Sequence, residues 1–261
     1  MKDKFEGWKI GREIGRHIKT RYLDFCEAAV KDDEVFSSFK RHEDYVRIAE
    51  HCPTSLASAY YNKMKDGDSS LLQYLDVLRE KEKYGNPLIM GSEPFVSTST
   101  VRYLKVADDI KNLFGDTKNF DIVEIGGAYG GQATVIEYTM GFKSYVDFDL
   151  GWAAKLAKKY CMLNAVDNFT SFSPSKIKDK LTKSRYDLVI SNYAFSECEE
   201  ETQDFYIEEV FSKCDRGYIT TNGSLERKAR VEKEMSRFNN FRKFGDDMDK
   251  HKHPIFVWGE E

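Results

Sequence analysis

No run of apolar residues in this chain approaches the length of a membrane span. The opening stretch, MKDKFEGWKI, carries charge where a secretory signal has its apolar core. The expectation is a cytoplasmic chain without a membrane-spanning segment. A basic excess is also missing. The net charge is −4 and the isoelectric point about 5.9, with no basic stripe, so a nucleic-acid partner is not expected. The five cysteines include no C-x-x-C pair and never cluster with histidines at ligand spacing. That argues against a disulfide scaffold and against a zinc site, and for reduced thiols. Internal repeats and low-complexity segments are absent. What is present is an ordinary globular balance of 41% apolar and 32% charged residues. The length of 261 residues suits one large domain or a core with an appendage. Aromatic residues make up 14% of the chain and read as a well-filled core in preference to a sugar pocket.

Periodicity divides the chain near residue 115. Up to about residue 84 apolar residues recur at helical spacing, as in Tyr22, Phe25, Cys26, Ala29 and Val30. The Gly- and Pro-bearing stretch 85–96 reads as a loop. A helix then starts at Ser99 or Thr100 and is ended by Gly115. From Asp121 strands alternate with helices. The expected strands are 121–125, 144–149, 168–172, 186–191, 216–221, 241–244 and 254–258. Helices are expected at 131–140, 152–162, 202–213 and 224–237. Such alternation predicts an α/β fold with a mainly parallel sheet covered on both faces. The last two strands are too close in sequence for a parallel crossover, so they should pair antiparallel. Residues 1–115 are thus expected to form a helical cap, and 116–261 the core.

The most informative stretch is Asp121–Gly131, DIVEIGGAYGG. A short apolar strand runs into a glycine turn and then a helix start, the arrangement that brings backbone close to a nucleotide-like ligand. Gly126, Ala128 and Gly131 fit the G-x-A-x-x-G pattern of nicotinamide or flavin binding. Glu124 argues against that reading, because the equivalent residue of a dinucleotide turn is normally apolar. Asp149 ends the next strand about twenty residues later, where an acid accepts the ribose hydroxyls of a nucleoside. Asp147 shares its side of the strand but lies further from the carboxyl end. A third polar string, Ser191–Glu197 (SNYAFSE), follows the strand 186–191, where open α/β sheets hold their ligands.

The seven strands with an antiparallel finish resemble the Rossmann-like fold of class I S-adenosylmethionine-dependent methyltransferases. Glu124-Ile125-Gly126-Gly127-Ala128-Tyr129-Gly130 is similar to their E/D-x-G-x-G-x-G motif, with Ala128 in place of the middle glycine. DIVEIGGAYGGQ, YVDFDLGWAAKLAKKY and YDLVISNYAFSE resemble more narrowly the sugar O-methyltransferases of polysaccharide and glycan biosynthesis. So do Ser97–Tyr103 and Ile255–Gly259. The resemblance covers roughly 95–259. It implies S-adenosylmethionine as cofactor and a carbohydrate acceptor, with a deoxyhexose such as rhamnose as one candidate. Two other readings stay open: a methyltransferase acting on another small molecule or a protein, and a non-catalytic cofactor-binding module in a glycan-synthesis assembly.

The resemblance places Glu124 under the methionine portion of the cofactor. Gly126, Gly127, Ala128, Tyr129, Gly130 and Gln132 are expected around it, with Asp149 on the ribose and Asn192 at the strand top. Arg102 is expected to meet the methionine carboxylate, and Ser173 the adenine. Methyl transfer to a neutral sugar hydroxyl needs a base. Glu197, His253 and His51 are the candidates, each with a plain solvated or helix-end role as the alternative. Tyr193, Tyr60 and Tyr61 are the candidate sugar contacts, with a buried helix–helix contact as the favoured alternative for the last two, and the loop 85–96 is a candidate lid. Asp246, Asp247 and Asp249 offer oxygen ligands for a divalent metal such as magnesium. A charged surface loop is the favoured reading there, so no metal ligand is assigned. The oligomeric state is open, with a homodimer as one option.

Overall fold

The computed structural model describes residues 13–49, 52–245, 248 and 253–259. The region before the sheet is helical: α1 (Glu13–Lys31), α2 (Asp33–Ser37), α3 (Glu43–Ala49), α4 (Thr54–Asp66), α5 (Leu75–Lys81) and α6 (Thr98–Phe114). The Ser97 hydroxyl caps α6 by accepting the Thr100 amide at 3.1 Å, and Gly115 ends the helix with φ +80°.

The alternating part follows as expected. Strands β1 (Asp121–Ile125), β2 (Ser144–Phe148), β3 (Phe169–Phe172), β4 (Tyr186–Asn192) and β5 (Cys214–Thr220) are parallel. Strands β6 (Arg242–Gly245) and β7 (Pro254–Trp258) form the closing antiparallel pair, and β7 lies between β5 and β6. The full order is β3-β2-β1-β4-β5-β7-β6. Between the strands run α7 (Gly131–Thr139), α8 (Gly151–Leu163), α9 (Ile177–Lys180), α10 (Ala194–Glu197), α11 (Glu200–Glu209) and α12 (Leu225–Met235). One expected helix, 202–213, is shorter than its pattern: α11 stops at Glu209 because Val210 leaves helical geometry and Phe211 turns fully into the core.

Side chains alternate across the sheet as the pleat requires. Ile122, Tyr145, Leu188, Ile190, Tyr218 and Val257 face one core, shared with α6, α7 and α8. Val123, Ile125, Phe148, Val189, Ile219 and Trp258 face the other, packed on α9, α11 and α12. The helices before the sheet continue the first core outward, with α1 lying on α8 and α4 on α6. At that junction sits a buried cation. Lys40 is 3% exposed, and its ammonium lies 4.2 Å from the Tyr129 ring centre and 4.5 Å from that of Tyr160. It donates to the Tyr160 hydroxyl at 3.2 Å and to the Glu82 carbonyl at 3.3 Å. Buried ammonium groups need such partners, and ring faces supply part of the compensation.

Candidate functional site

The strand order reverses between β1 and β4, and the carboxyl ends on either side of that switch point open into a cleft. The glycine turn forms its floor. The Gly126 amide donates to the Phe148 carbonyl at 2.9 Å, which ties the turn to the end of β2. Gly126 has φ +81°, and a Cβ there would stand 2.2 Å from the Ala194 Cβ at the start of α10. A Cβ on Gly127 would stand 2.7 Å from Asp147 Oδ1 and 2.8 Å from Glu124 Oε2. Neither position has room for any other residue.

The next two amides of the turn are already engaged. Gly127 N–H donates to Asp147 Oδ1 at 2.9 Å, and Ala128 N–H donates to Asp149 Oδ2 at 2.8 Å. A turn that receives a diphosphate leaves such amides bare for its oxygens. Here they are held by carboxylates, and the floor is acidic. This arrangement repels a pyrophosphate and favours a cation.

Burial presses the carboxyls of that floor toward their neutral forms. Glu124 is 1% exposed and Asp147 fully buried, and the two are register partners on adjacent strands. Tyr145 donates to Glu124 Oε2 at 2.8 Å, and Ser171 to Asp147 Oδ2 at 2.5 Å. Burial pushes the Glu124 carboxyl up to about 8, with Asp149 adding to the rise against the opposing Tyr145 bond. Asp147 is raised as well, by burial first and then by Asp149 and Glu124. A cation placed over the turn reverses the sign of this pressure and favours ionised carboxylates.

The far wall comes from β4 and α10. Asn192 donates to Gln132 Oε1 at 3.3 Å, and Gln132 donates to the Tyr103 carbonyl at 3.1 Å, linking the strand top to α7 and α6. Tyr193 has φ +73° and ψ −37°, a sparsely populated backbone region for a bulky residue. That backbone aims its ring between the Arg102 guanidinium carbon, 5.8 Å from the ring centre, and the His253 ring at 5.5 Å. Glu197 ends α10 at the cleft mouth, where its outer edge meets water. Protein crowds its remaining sides, and this desolvation raises its carboxyl against the opposing pull of Asn222 and Arg227. Asn222 donates to Glu197 Oε1 at 2.6 Å.

The cleft therefore brings together Arg102, Glu124, Gly126, Gly127, Ala128, Asp149, Asn192, Tyr193 and Glu197 of the expected residues. Gln132 stands one layer behind them, and Gly130 packs over Cys161. Tyr129 points away from the cleft into the aromatic junction around Lys40 and is 1% exposed. Ser173 lies outside the cleft lining, its hydroxyl accepting from Ser175 at 3.3 Å. Tyr60 is buried on the inner face of α4, with the Lys105 ammonium 5.6 Å from its ring centre. Tyr61 bonds Glu93 in the loop 85–96 at 3.2 Å. His253 is not part of the cleft lining, and its ring centre lies 5.5 Å from that of Tyr193, which is. His51, Asp246, Asp247 and Asp249 lie outside the described residues. Among the described residues no group of three metal-capable side chains occurs, and no helix is long and apolar enough to cross a membrane. Six lining residues were not among the expected site residues: Tyr22 on α1, Ile48 and Ala49 on α3, Tyr103 on α6, Leu150 after β2, and Ala194 at the start of α10.

No family model and no curated protein matches this sequence. Solved structures do match its shape. The methyltransferase domain of METTL16 superposes with a TM-score of 0.51 at 12% identity, over 72% of this chain and 78% of that domain. The methyltransferase domain of bacterial CtHen1 gives 0.50 at 12% identity, over 60% of this chain and 97% of that domain. The fold is that of the class I methyltransferases, with a seven-stranded mixed sheet and helices on both faces.

Proposed function

We propose that this protein is an S-adenosylmethionine-dependent O-methyltransferase whose acceptor is a sugar hydroxyl of a glycan. The observation that carries the cofactor assignment is the acidic floor of the glycine turn. S-adenosylmethionine brings a sulfonium and an ammonium, and Glu124, Asp147 and Asp149 stand where positive charge is welcome and a diphosphate is not. Gly127, with no Cβ, lets the Glu124 and Asp147 carboxyls close up beneath the turn.

When bound, the cofactor supplies an electrophilic methyl group and a neutral leaving group. The protein's own part is to bind, align and deprotonate. Glu124 and the glycine turn hold the methionine end, Arg102 faces its carboxylate across the cleft, and Asp149 takes the ribose. Asn192 and Tyr193 close the strand top and orient the acceptor, which carries much of the rate through alignment alone. Glu197 is the base assigned to the acceptor hydroxyl. Its raised carboxyl is a better proton acceptor than an ordinary glutamate, and Asn222 holds one of its oxygens at the cleft mouth. His253 supports this wall through Tyr193. The sugar acceptor rests on the resemblance of SNYAFSE and its flanking segments to sugar O-methyltransferases, and on an uncharged acceptor needing such a base. The helices before residue 115 complete the acceptor side.

Calorimetric titration with S-adenosylmethionine, S-adenosylhomocysteine and NAD tests the cofactor. Binding of NAD alone would sink the reading. Transfer of labelled methyl groups to deoxyhexose oligosaccharides, run with and without chelator, tests the acceptor and any metal requirement together. Labelling of RNA or protein acceptors, with sugars untouched, would move the acceptor assignment elsewhere.

A further inference from the structure

The sequence shows no basic stripe, yet the fold assembles one from separate elements. Helix α8 holds Lys155, Lys158 and Lys159 and no acidic residue. Lys159 turns inward: it donates to the Ala29 and Val30 carbonyls at the end of α1 and pairs with Asp33. Lys155 and Lys158 face solvent about one helical turn apart. The Lys155 ammonium lies 3.7 Å from the ring centre of Trp152, and Lys31 of α1 comes to the same ring at 5.2 Å. The Lys158 ammonium lies 4.4 Å from the ring centre of Phe172, and Lys180 of α9 reaches that ring at 4.9 Å. Phe172 ends the edge strand β3, and α8 and α9 pack on opposite faces of the sheet. The two cations thus meet around the sheet edge. A ring compensates an ammonium in part, but two on one ring repel each other. Among the described residues Lys155, Lys158 and Lys180 have no ion pair and no hydrogen bond, whereas Lys31 pairs with Glu27. Burial first, and Lys180 next, hold the Lys158 ammonium below the ordinary lysine range. This stripe starts at the cleft rim. The Asp149 amide donates to the Phe172 carbonyl at 3.1 Å, and the cleft-lining Leu150 stands two residues before Trp152. From β4 to β3 is three strand spacings, about 14 Å, so a polymer seated against Asn192 can extend to the lysines. Lysine offers a point charge without a planar fork, which suits single anionic groups spaced along a chain. Ammonium groups already sit at both rings, whereas a nucleobase needs a free ring face to stack on.

We propose that Lys155, Lys158 and Lys180, with Lys31 at their margin, form a binding track for a linear acidic glycan, whose anionic groups supply the counter-charge that this face lacks. Identifying that glycan with the acceptor rests on the sugar-methyltransferase reading of the cleft.

The test uses the full chain, with oligogalacturonate and a heparin oligosaccharide as acidic probes. Methyl-esterified oligogalacturonate is the control, since it keeps the sugar rings and loses the charge. The parent is expected to bind an acidic probe, to release it as salt is raised, and to leave the ester unbound. Lys155→Gln/Lys158→Gln/Lys180→Gln is expected to weaken the acidic probe about tenfold, the combined loss of three exposed charge pairs. Lys155→Arg/Lys158→Arg/Lys180→Arg is expected to keep most of the affinity. All three side chains are exposed, so an unchanged melting temperature should accompany both variants. Equal binding of oligogalacturonate and its ester overturns the proposal, and that comparison needs no variant. Equal affinity of the glutamine variant and the parent overturns it too, as does a parent that binds neither acidic probe. Tighter binding of oligouridylate or of phosphatidylserine vesicles through the same lysines would give this face to a different partner and overturn it as well. A parent that holds an acidic probe through these lysines but methylates no sugar supports the track and overturns the acceptor reading instead.

Discussion

Glu124 and Asp147 face each other across adjacent strands, and their oxygens lie 2.8 and 2.7 Å from the point where a side chain on Gly127 would begin. Both carboxyls are tethered, one by Tyr145 and one by Ser171, so neither can swing aside. Gly127→Ala is therefore expected to destabilise by about 1–3 kcal/mol, as overpacking of a tight site does. Calorimetric affinity for S-adenosylhomocysteine should fall with it. A variant with unchanged melting and binding would show that the floor yields.

The same pair sets a pH dependence. Glu124 titrates near 8 in the folded chain, against about 4.5 for a free glutamate, and Asp147 is displaced in the same direction. Between those values the folded state binds more protons than the unfolded state, so stability falls as pH rises. The contribution is fully present below about 4.5 and is lost as pH passes through about 8. Urea midpoints measured from pH 5 to 8.5 should decline, and the decline should flatten in Glu124→Gln. Affinity for a cationic cofactor should show the opposite trend, rising with pH, because ligand and proton compete for the same carboxyls.

Ala128 occupies left-handed backbone, with φ +51°. An L-residue with a Cβ is held there at a cost of about 1–2 kcal/mol, which glycine escapes. Part of the gain is offset by the freedom glycine adds to the unfolded chain. Ala128→Gly should thus stabilise by about 0.5–1 kcal/mol, a rise of roughly 1–4 °C in Tm. A scanning-calorimetry comparison of the two proteins checks it, and a lower Tm would count against strain at this position.

Glu197→Gln should lower turnover by about 10²–10⁴ while leaving S-adenosylhomocysteine affinity within twofold, since its role is toward the acceptor. The parent rate should climb with pH through a value above the ordinary carboxyl range, because only the ionised form accepts a proton. Asn222→Ala should shift that limb further upward, as it removes the bond that favours ionisation. A pH–rate profile identical in Asn222→Ala and the parent would detach Glu197 from the base role.

What the sequence disclosed followed the range of the interactions involved. The strands, the glycine turn and the spacing of Glu124 and Asp149 are local patterns, and all are found at the cleft. Tyr22, Ile48 and Ala49 arrive there by helix packing, and nothing in their neighbourhoods marks them out. Tyr60 is a different case. It lies on the stripe Ala57, Tyr60, Met64, all buried, so the three-and-four spacing of α4 already assigned it to a core. Tyr193 drew notice as an aromatic at a strand end, but its positive φ has no signature in the residues beside it.

The buried Lys40 ammonium has a consequence for any attempt to exchange the helices or the sheet of this protein for those of another. Lys40 arrives with the helices, whereas Tyr129 and Tyr160, on which it sits, arrive with the sheet. A chimera joined near residue 115 inherits the ammonium from one parent and its ring faces from the other. Where the second parent lacks those rings, the charge is stranded in apolar surroundings; where the first lacks the lysine, the rings surround a void. Successful hybrids should be those that co-inherit both halves of this contact, whatever the overall similarity of their parents.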